Sequence, residues 1–326
     1  MNEVNQIVGD VLSVTVNKKE LIAEGVMYFE LVSKSGGALP PFTAGSHIDV
    51  QLPNGLVRQY SLCGSPSITS SYEIGVLLET NGRGGSKSAH QDLELGATLQ
   101  ISHPKNHFPL QKAKHSILFA GGIGVTPILS MAETLTDQSA SFDMHYCSRT
   151  AAKTAFIKRI QSAPFALKVQ FHFDDGEDVQ KLNAKEVLKN VDPDTHLYVC
   201  GPKGFMDYII QTSKELGWPE AQVHYEFFKA EVLVKDDDGS FEVEFASTGQ
   251  VVNVSADTTI AYALIEAGVA IPLSCEQGIC GTCVMKVVEG VPDHRDVCLS
   301  DEDKEIKKMF TPCCSRAQST RLVLDF

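Results

Sequence analysis

SILFAGGIGVTPILSM, residues 116–131, links one apolar run to another through Gly121, Gly122 and Gly124. Glycines between a strand-like and a helix-like segment leave the first helical N–H groups free, Thr126 is a candidate cap, and Pro127 suits a first turn. The stretch lacks the Gly-x-Gly-x-x-Gly fingerprint, so it reads either as a phosphate-binding loop or as a tight turn. Downstream, β-rich runs at 142–147, 168–173, 196–200 and 223–228 alternate with helical patterns near 126–136, 151–162, 183–190 and 203–217. That alternation predicts a parallel, doubly wound α/β sheet with a ligand crevice at the strand C-termini.

Upstream, NQIVGDVLSVTV, GVMYFELVS, HIDVQLP, RQYSLC, YEIGVLL and ATLQIS are separated by Gly, Pro, Asn and Ser. Short strands with turn signals and little helical periodicity predict a small antiparallel β-barrel. On the other side, KAEVLVKDDDGS reads as a linker into a third unit. That unit opens with a hairpin, SFEVEFASTGQVVNVS, and a helix, TTIAYALIEAG, before a cysteine loop. The expected division is 1–108, 109–228, a linker at 229–240, and an α+β unit at 241–326.

The chain has 326 residues, 43% hydrophobic and 21% charged, as ordinary globular proteins do, with a net charge of −13. Residues 236–326 hold 16 acidic against 7 basic side chains, so most of the negative charge belongs to the third unit. Nucleic acid is excluded as a partner, because its phosphates need a basic face. The N-terminus has no basic segment before an apolar one, and the apolar run at 117–131 is too short and too broken by glycine to span a bilayer. A cytoplasmic protein with no membrane partner is expected.

CEQGICGTC places Cys275, Cys280 and Cys283 at the plant-type [2Fe–2S] spacing, which needs one more distant cysteine from among Cys298, Cys313 and Cys314. Cytosolic cysteines hold metals more often than disulfides. Gly278 and Gly281 let the backbone wrap a cluster with its N–H groups toward sulfur. Zinc is the competing metal, although closed zinc sites usually show paired short spacings at both ends.

CEQGICGTCVMKVVEG followed by PCCSRA resembles a plant-type ferredoxin (β-grasp) domain, and the tail SRAQSTRLVLDF resembles the end of the phthalate dioxygenase reductase family. In that family the last ligand precedes a short residue and then Ser-Arg-Ala, which implies Cys313; the doubled Cys313–Cys314 departs from the commoner Cys-Val, which leaves Cys314 as the alternative ligand. Cys298 is then structural. RQYSLC resembles the family's Arg-x-Tyr-Ser flavin motif, implicating Arg58, Gln59, Tyr60 and Ser61. NGRGGSKSAHQDL adds a Gly-rich turn opening a helix, where Gly82, Arg83, Gly84, Gly85 and Ser86 suit a phosphate. The resemblance implies FMN rather than FAD.

GGIGVTPI and CGPKGFM resemble the paired nicotinamide-nucleotide motifs of ferredoxin reductases, implicating Gly121, Gly122, Gly124, Thr126, Pro127, Cys200, Gly201 and Pro202. Arg149 in HYCSRT is a candidate for the adenosine phosphate or ribose. Asp174 and Asp175 in FHFDDG favour NADH, because a carboxylate accepts ribose hydroxyls and repels a 2′-phosphate. His103, His107 and His115 lack a companion ligand pattern and read as surface or core residues.

Nicotinamides give up electron pairs as hydride and iron–sulfur clusters accept single electrons, so a flavin between them converts one currency to the other. Plant-type clusters lie near about −400 mV and Rieske centres well above them, which makes onward transfer to a Rieske protein downhill. The resemblance therefore implies the reductase component of a two-component Rieske oxygenase system, with the terminal oxygenase as partner. A redox sensor, or a flavin reductase with a structural zinc, is the alternative.

Overall fold

An apolar run with no polar side to offer water must be covered on both faces, and His115–Gly121 takes that place at the centre of a parallel sheet. The computed structural model describes residues 7, 10–228, 238–273 and 276–325; most of the expected linker lies outside them. The chain divides after Phe228 into two compact units.

The first unit opens with a barrel of β1 (Val11–Ala23), β2 (Val26–Ser33), β3 (Ser46–Gln51), β4 (Val57–Ser61), β5 (Ser71–Leu77) and β6 (Thr98–Ser102), with the short β7 (Lys105–Asn106) added to β3. The antiparallel order is β4-β3-β6-β1-β2-β5. Its ends close through a bridge between Leu62 and Ile74 and a 2.9 Å bond from Cys63 N to the Glu73 carbonyl. Alternation along these strands turns Phe29, Leu31, Ile48, Val50 and Ile101 inward to a fully buried core. Helix α1 (Gly85–Asp92) follows β5.

The same unit continues as β8 (His115–Gly121), α2 (Val125–Asp137), β9 (Ser141–Ser148), α3 (Ile157–Gln161), β10 (Val169–Phe173), α4 (Ala184–Leu188), β11 (Thr195–Cys200), α5 (Lys203–Glu215) and β12 (Val223–Glu226). All pairings are parallel in the order β10-β9-β8-β11-β12, so the winding reverses between β8 and β11. Ile117, Phe119, Leu197 and Val199 pack toward α4 and α5, while Leu118, Ala120, Tyr198 and Cys200 pack toward α2. The α2 side also takes in Val26, Tyr28 and Phe108, so barrel and sheet share one apolar core.

A charged contact reinforces that junction. Arg159 of α3 meets Glu73 of the barrel at 2.5 Å and Glu133 of α2 at 2.6 Å, all three side chains largely buried. Desolvation raises the Glu133 pKa, Arg159 opposing it.

Two local expectations fail. Residues 151–162 do not form one helix: a 3-10 turn at Ala151–Lys153 is followed by Phe156 in the left-handed region, φ 60°, before α3 begins. Phe156 is buried edge-on to Tyr28 at 6.1 Å and against Gly75, so packing on the barrel overrides local helical preference. Thr126 does not cap α2, which starts at Val125; its hydroxyl donates to the Ile123 carbonyl at 3.0 Å.

The second unit is an α+β fold: β13 (Phe241–Phe245), β14 (Val251–Val254), α6 (Ile260–Glu266), β15 (Met285–Glu289), β16 (Pro292–Asp293), α7 (Asp301–Glu305), β17 (Met309–Phe310), β18 (Arg316–Ala317) and β19 (Arg321–Asp325). The mixed sheet runs β14-β13-β19-β15-β17, with β13 and β19 parallel and the rest antiparallel. FEVEF turns Phe241, Val243 and Phe245 to the core and Glu242 and Glu244 outward to Arg321. Helix α6 starts at Thr259, whose hydroxyl accepts from Tyr262 N at 3.2 Å, and buries Ile260, Ala261, Ala263 and Leu264. Among the described residues, no helix is long and apolar enough to cross a membrane.

Arg159→Leu is expected to destabilise the first unit by about 2 kcal/mol, because two partly buried carboxylates lose their shared counter-charge. Denaturant unfolding should show the loss shrinking on acidification, since Glu133 protonates at a higher pH than an ordinary carboxyl.

Candidate functional sites

In the barrel, β4 brings RQYS and the Gly-rich turn together. Gly84 takes φ 91° as the residue before α1, and a Cβ on Gly85 would fall 2.8 Å from Arg58 Cγ and 2.9 Å from its Nε. Only glycine lets the first turn of α1 lie directly on the guanidinium. The result is a cradle of helical N–H groups, with no side-chain cap, beside a fixed cation, which suits a phosphate. Ser86 Oγ accepts from Glu79 N at 2.9 Å and Asn54 donates to the Gly84 carbonyl at 3.2 Å, fixing the turn. Gly82 packs against Glu79, and Arg83 is exposed at the rim.

Gln59 points to the other face of β4, donating to Asp49 at 3.0 Å, while Asp49 also pairs with Lys105 at 2.7 Å. Tyr60 is half-buried, and burial pushes its phenol up. Ser61, at the end of β4, lies 3.5 Å from Glu226 at the end of β12. Burial pushes the Glu226 carboxyl up to about 8. Cys200 is paired with Glu226 across the sheet, and its thiol is raised by burial and then by that carboxylate. Glu226 is a site residue that sequence reasoning missed; its signal was a lone acid inside the β-rich HYEFF.

The two glycine motifs of the sheet meet backbone to backbone. A Cβ on Gly124 would fall 2.2 Å from the Cys200 carbonyl oxygen, one on Gly121 would fall 2.6 Å from Phe205 Cδ1 and 2.9 Å from Pro202 Cδ, and one on Gly201 would fall 2.9 Å from Gly121 Cα. Gly122 has φ 52° at the start of a 3-10 turn that leads into α2, whose first turn has no side-chain cap. Thr126 and Pro127 are buried in that turn. This turn, whose following Val125 N–H is taken by the carbonyls of Gly122 and Ile123, lies at the reversal between β8 and β11, where an open α/β sheet has its crevice. Arg149 follows β9, and Asp174 and Asp175 follow β10. Asp174 N donates to the Ser148 carbonyl at 3.1 Å and Asp175 N to that of Arg149 at 3.3 Å, so all three cluster at neighbouring strand ends with exposed side chains.

In the second unit Cys283 and Cys313 come together, with Cys280 on the same loop as Cys283 and Cys275 outside the described residues; among the described residues no three metal-ligating side chains form one group. The Cys313 thiol bonds to that of Cys283 and to the Gly278 N–H. Cys314 bonds to Cys313 as well, and also lies against Thr311 Oγ1 at 3.3 Å and Ser315 Oγ at 3.8 Å. Gly278 and Gly281 both have φ 70°, and a Cβ on Gly278 would strike Cys314 Sγ at 2.4 Å. Soft thiol donors in a glycine-built loop with an inward N–H fit an iron–sulfur group. Cys298 is half-buried, close enough to Cys280 and Cys314 for both to raise its thiol, behind desolvation and Asp296. The described cysteines are all free.

Residues 243–318 match the 2Fe-2S iron-sulfur cluster binding domain, and residues 105–223 match the N-terminal domain of dimethylamine monooxygenase subunit DmmA-like proteins. The chain is 50% identical over 315 residues to a vanillate O-demethylase oxidoreductase from a Pseudomonas species, covering 96% of this chain and 99% of the relative. It is 38% identical to phthalate dioxygenase reductase of Burkholderia cepacia, covering 96% and 97% of the two chains. The solved phthalate dioxygenase reductase, a modular structure for electron transfer from pyridine nucleotides to [2Fe–2S], superposes with a TM-score of 0.79 at 37% identity, covering 97% of this chain and 98% of that one.

Glu226 gives a signed pH test. An ordinary Glu ionises near 4.5, and this one near about 8, so between those values the folded state keeps a proton that the unfolded state has lost. Stability should fall as pH rises through that window. Glu226→Gln is expected to flatten the slope, read as denaturant midpoint against pH.

Proposed function

Because the chain belongs to the phthalate dioxygenase reductase family, we propose that it is the cytoplasmic, NADH-dependent reductase component of a two-component Rieske oxygenase system. The observation that carries this reading is the presence of three sites of different chemistry in one chain: a phosphate cradle on a barrel, a glycine-built crevice on a parallel sheet, and a thiol loop within a 2Fe-2S domain. Bound FMN would accept the electron pair of a hydride and release electrons singly, and a [2Fe–2S] cluster would carry them one at a time toward the oxygenase.

The residues divide that work. Arg58 and the first turn of α1, with Arg83 at the rim, hold the flavin phosphate; a single cradle is consistent with FMN, and the family supplies the preference over FAD. Tyr60, on the same face of β4 as Arg58, lies beside the ring, and Gln59 braces the strand from its other face through Asp49. Ser61 and the protonated Glu226 keep a hydroxyl and a proton where barrel meets sheet, so charge developing there finds a donor without bulk water. The N–H groups of the Gly122–Gly124 turn take the pyrophosphate, with the Cys200–Gly201–Pro202 turn pressed against it. Arg149 meets the adenosine phosphate or the ribose, and Asp174 and Asp175 accept the ribose hydroxyls.

Cys275, Cys280, Cys283 and Cys313 ligate iron in this reading. Cys313 is chosen over Cys314 because its thiol faces Cys283 and receives the Gly278 N–H. The acidic third unit matches a basic docking surface on the oxygenase, an attraction that salt weakens.

Cys313→Ser is expected to lose the visible iron–sulfur absorbance while keeping NADH-dependent reduction of a two-electron dye, and Cys314→Ser should keep both. Absorbance lost only in Cys314→Ser would reverse the ligand assignment. Replacing Asp174 and Asp175 together by Ala should narrow the ratio of kcat/KM for NADH over NADPH by about tenfold. An unchanged ratio would remove the ribose assignment.

A further inference from the structure

Behind the cysteine loop lies a charged side chain that neither the fold nor the thiol set requires. Asp296 has 0% side-chain exposure. Its carboxylate accepts from Leu299 N at 3.1 Å and faces Lys304 Nζ at 3.4 Å and His294 Nδ1 at 3.4 Å. Its other side presses on Gly278, where a Cβ would fall 2.9 Å from both Asp296 Cα and Cβ. Val297, the next residue, donates its N–H to the Gly278 carbonyl at 3.0 Å, and Arg295, the residue before, donates its N–H to Ser315 Oγ at 3.1 Å. Gly278 in turn gives its N–H to the Cys313 thiol.

The segment Arg295–Val297 is thus a crossbar between the loop of Gly278 and the turn of Cys313 to Ser315, and it carries a buried negative charge at its middle. A crossbar alone needs only the hydrogen-bonding groups, which an amide supplies equally well. The charge adds an effect of its own: reduction of an iron–sulfur centre adds negative charge, so a nearby carboxylate opposes it and a nearby ammonium favours it. In the protein interior such effects are weakly screened.

We propose that Asp296 and Lys304 are positioning residues whose opposed charges set the reduction potential of the centre held by the cysteine loop, Asp296 lowering it and Lys304 raising it. This rests on the reading that the third unit holds a [2Fe–2S] cluster. Asp296 acts through Gly278 and Cys313, and Lys304 acts both directly and by compensating Asp296.

The test is a spectroelectrochemical titration of the full-length holoprotein. Asp296→Asn, which keeps the bond from Leu299 N, should shift the cluster midpoint upward, changing the reduced-to-oxidised ratio at fixed poise by on the order of tenfold, equivalent to ~59 mV for one electron. Lys304→Gln should shift it downward, and the double variant should return toward the wild type. A purely structural role predicts something else: both single variants moving the same way, or neither moving, with cluster absorbance intact. Either result would overturn the proposal. If Asp296→Asn fails to hold its cluster, Lys304→Gln decides alone, and an unchanged or raised midpoint refutes it. Wild-type protein without iron–sulfur absorbance would instead overturn the cluster reading and this inference with it.

Discussion

The first unit depends on one close approach. The Cα of Gly124 lies so near the end of β11 that a methyl group there would overlap the Cys200 carbonyl, and Gly121 and Gly201 are packed nearly as tightly. No side chain intervenes, so the start of α2 and the turn after β11 form a single floor of backbone at the reversal of the sheet. That contact fixes the direction of α2, whose buried face then meets Val26, Tyr28 and Phe108 and brings the barrel against the sheet. Ser61 and Glu226 become neighbours, although 165 positions separate them, as a consequence of that docking.

The second unit repeats the device on a smaller scale. Gly278 sits in the left-handed region between Cys314 and Asp296, and its N–H reaches Cys313. In both units glycine does more than permit a turn: it lets backbone polar groups approach a ligand position that any side chain would fill. Adjacent Cys313 and Cys314 bond to each other; Cys313 also meets the thiol of Cys283, and Cys314 the hydroxyls of Thr311 and Ser315.

What could be read from sequence follows from the range of each interaction. The apolar β8 run, the glycines that end it and the alternating FEVEF are local signals, and they specify the sheet class correctly. Phe156 was not legible, because its left-handed backbone answers to Tyr28 and Gly75 on the barrel. Nor were the partners of Arg159, one of them 86 positions away. A charge in a helical pattern normally reads as a solvated face, and only tertiary structure reveals that it is enclosed. The family resemblance supplied what periodicity lacked, since it bound weak motifs in separate segments to one chemistry.

Two kinds of neutralisation stand out among the buried ionisable groups of the described residues. Arg159 is matched by carboxylates on both sides, and Arg295 by Asp238 and Asp293, so each buried cation is offset locally and the clusters mainly hold segments together. Glu226 has a hydroxyl for a partner rather than a cation, and it escapes the desolvation penalty by keeping its proton. Such an arrangement costs stability at neutral pH and gives no packing advantage over Gln. Its position at the meeting of β4 and β12 places that proton beside Ser61.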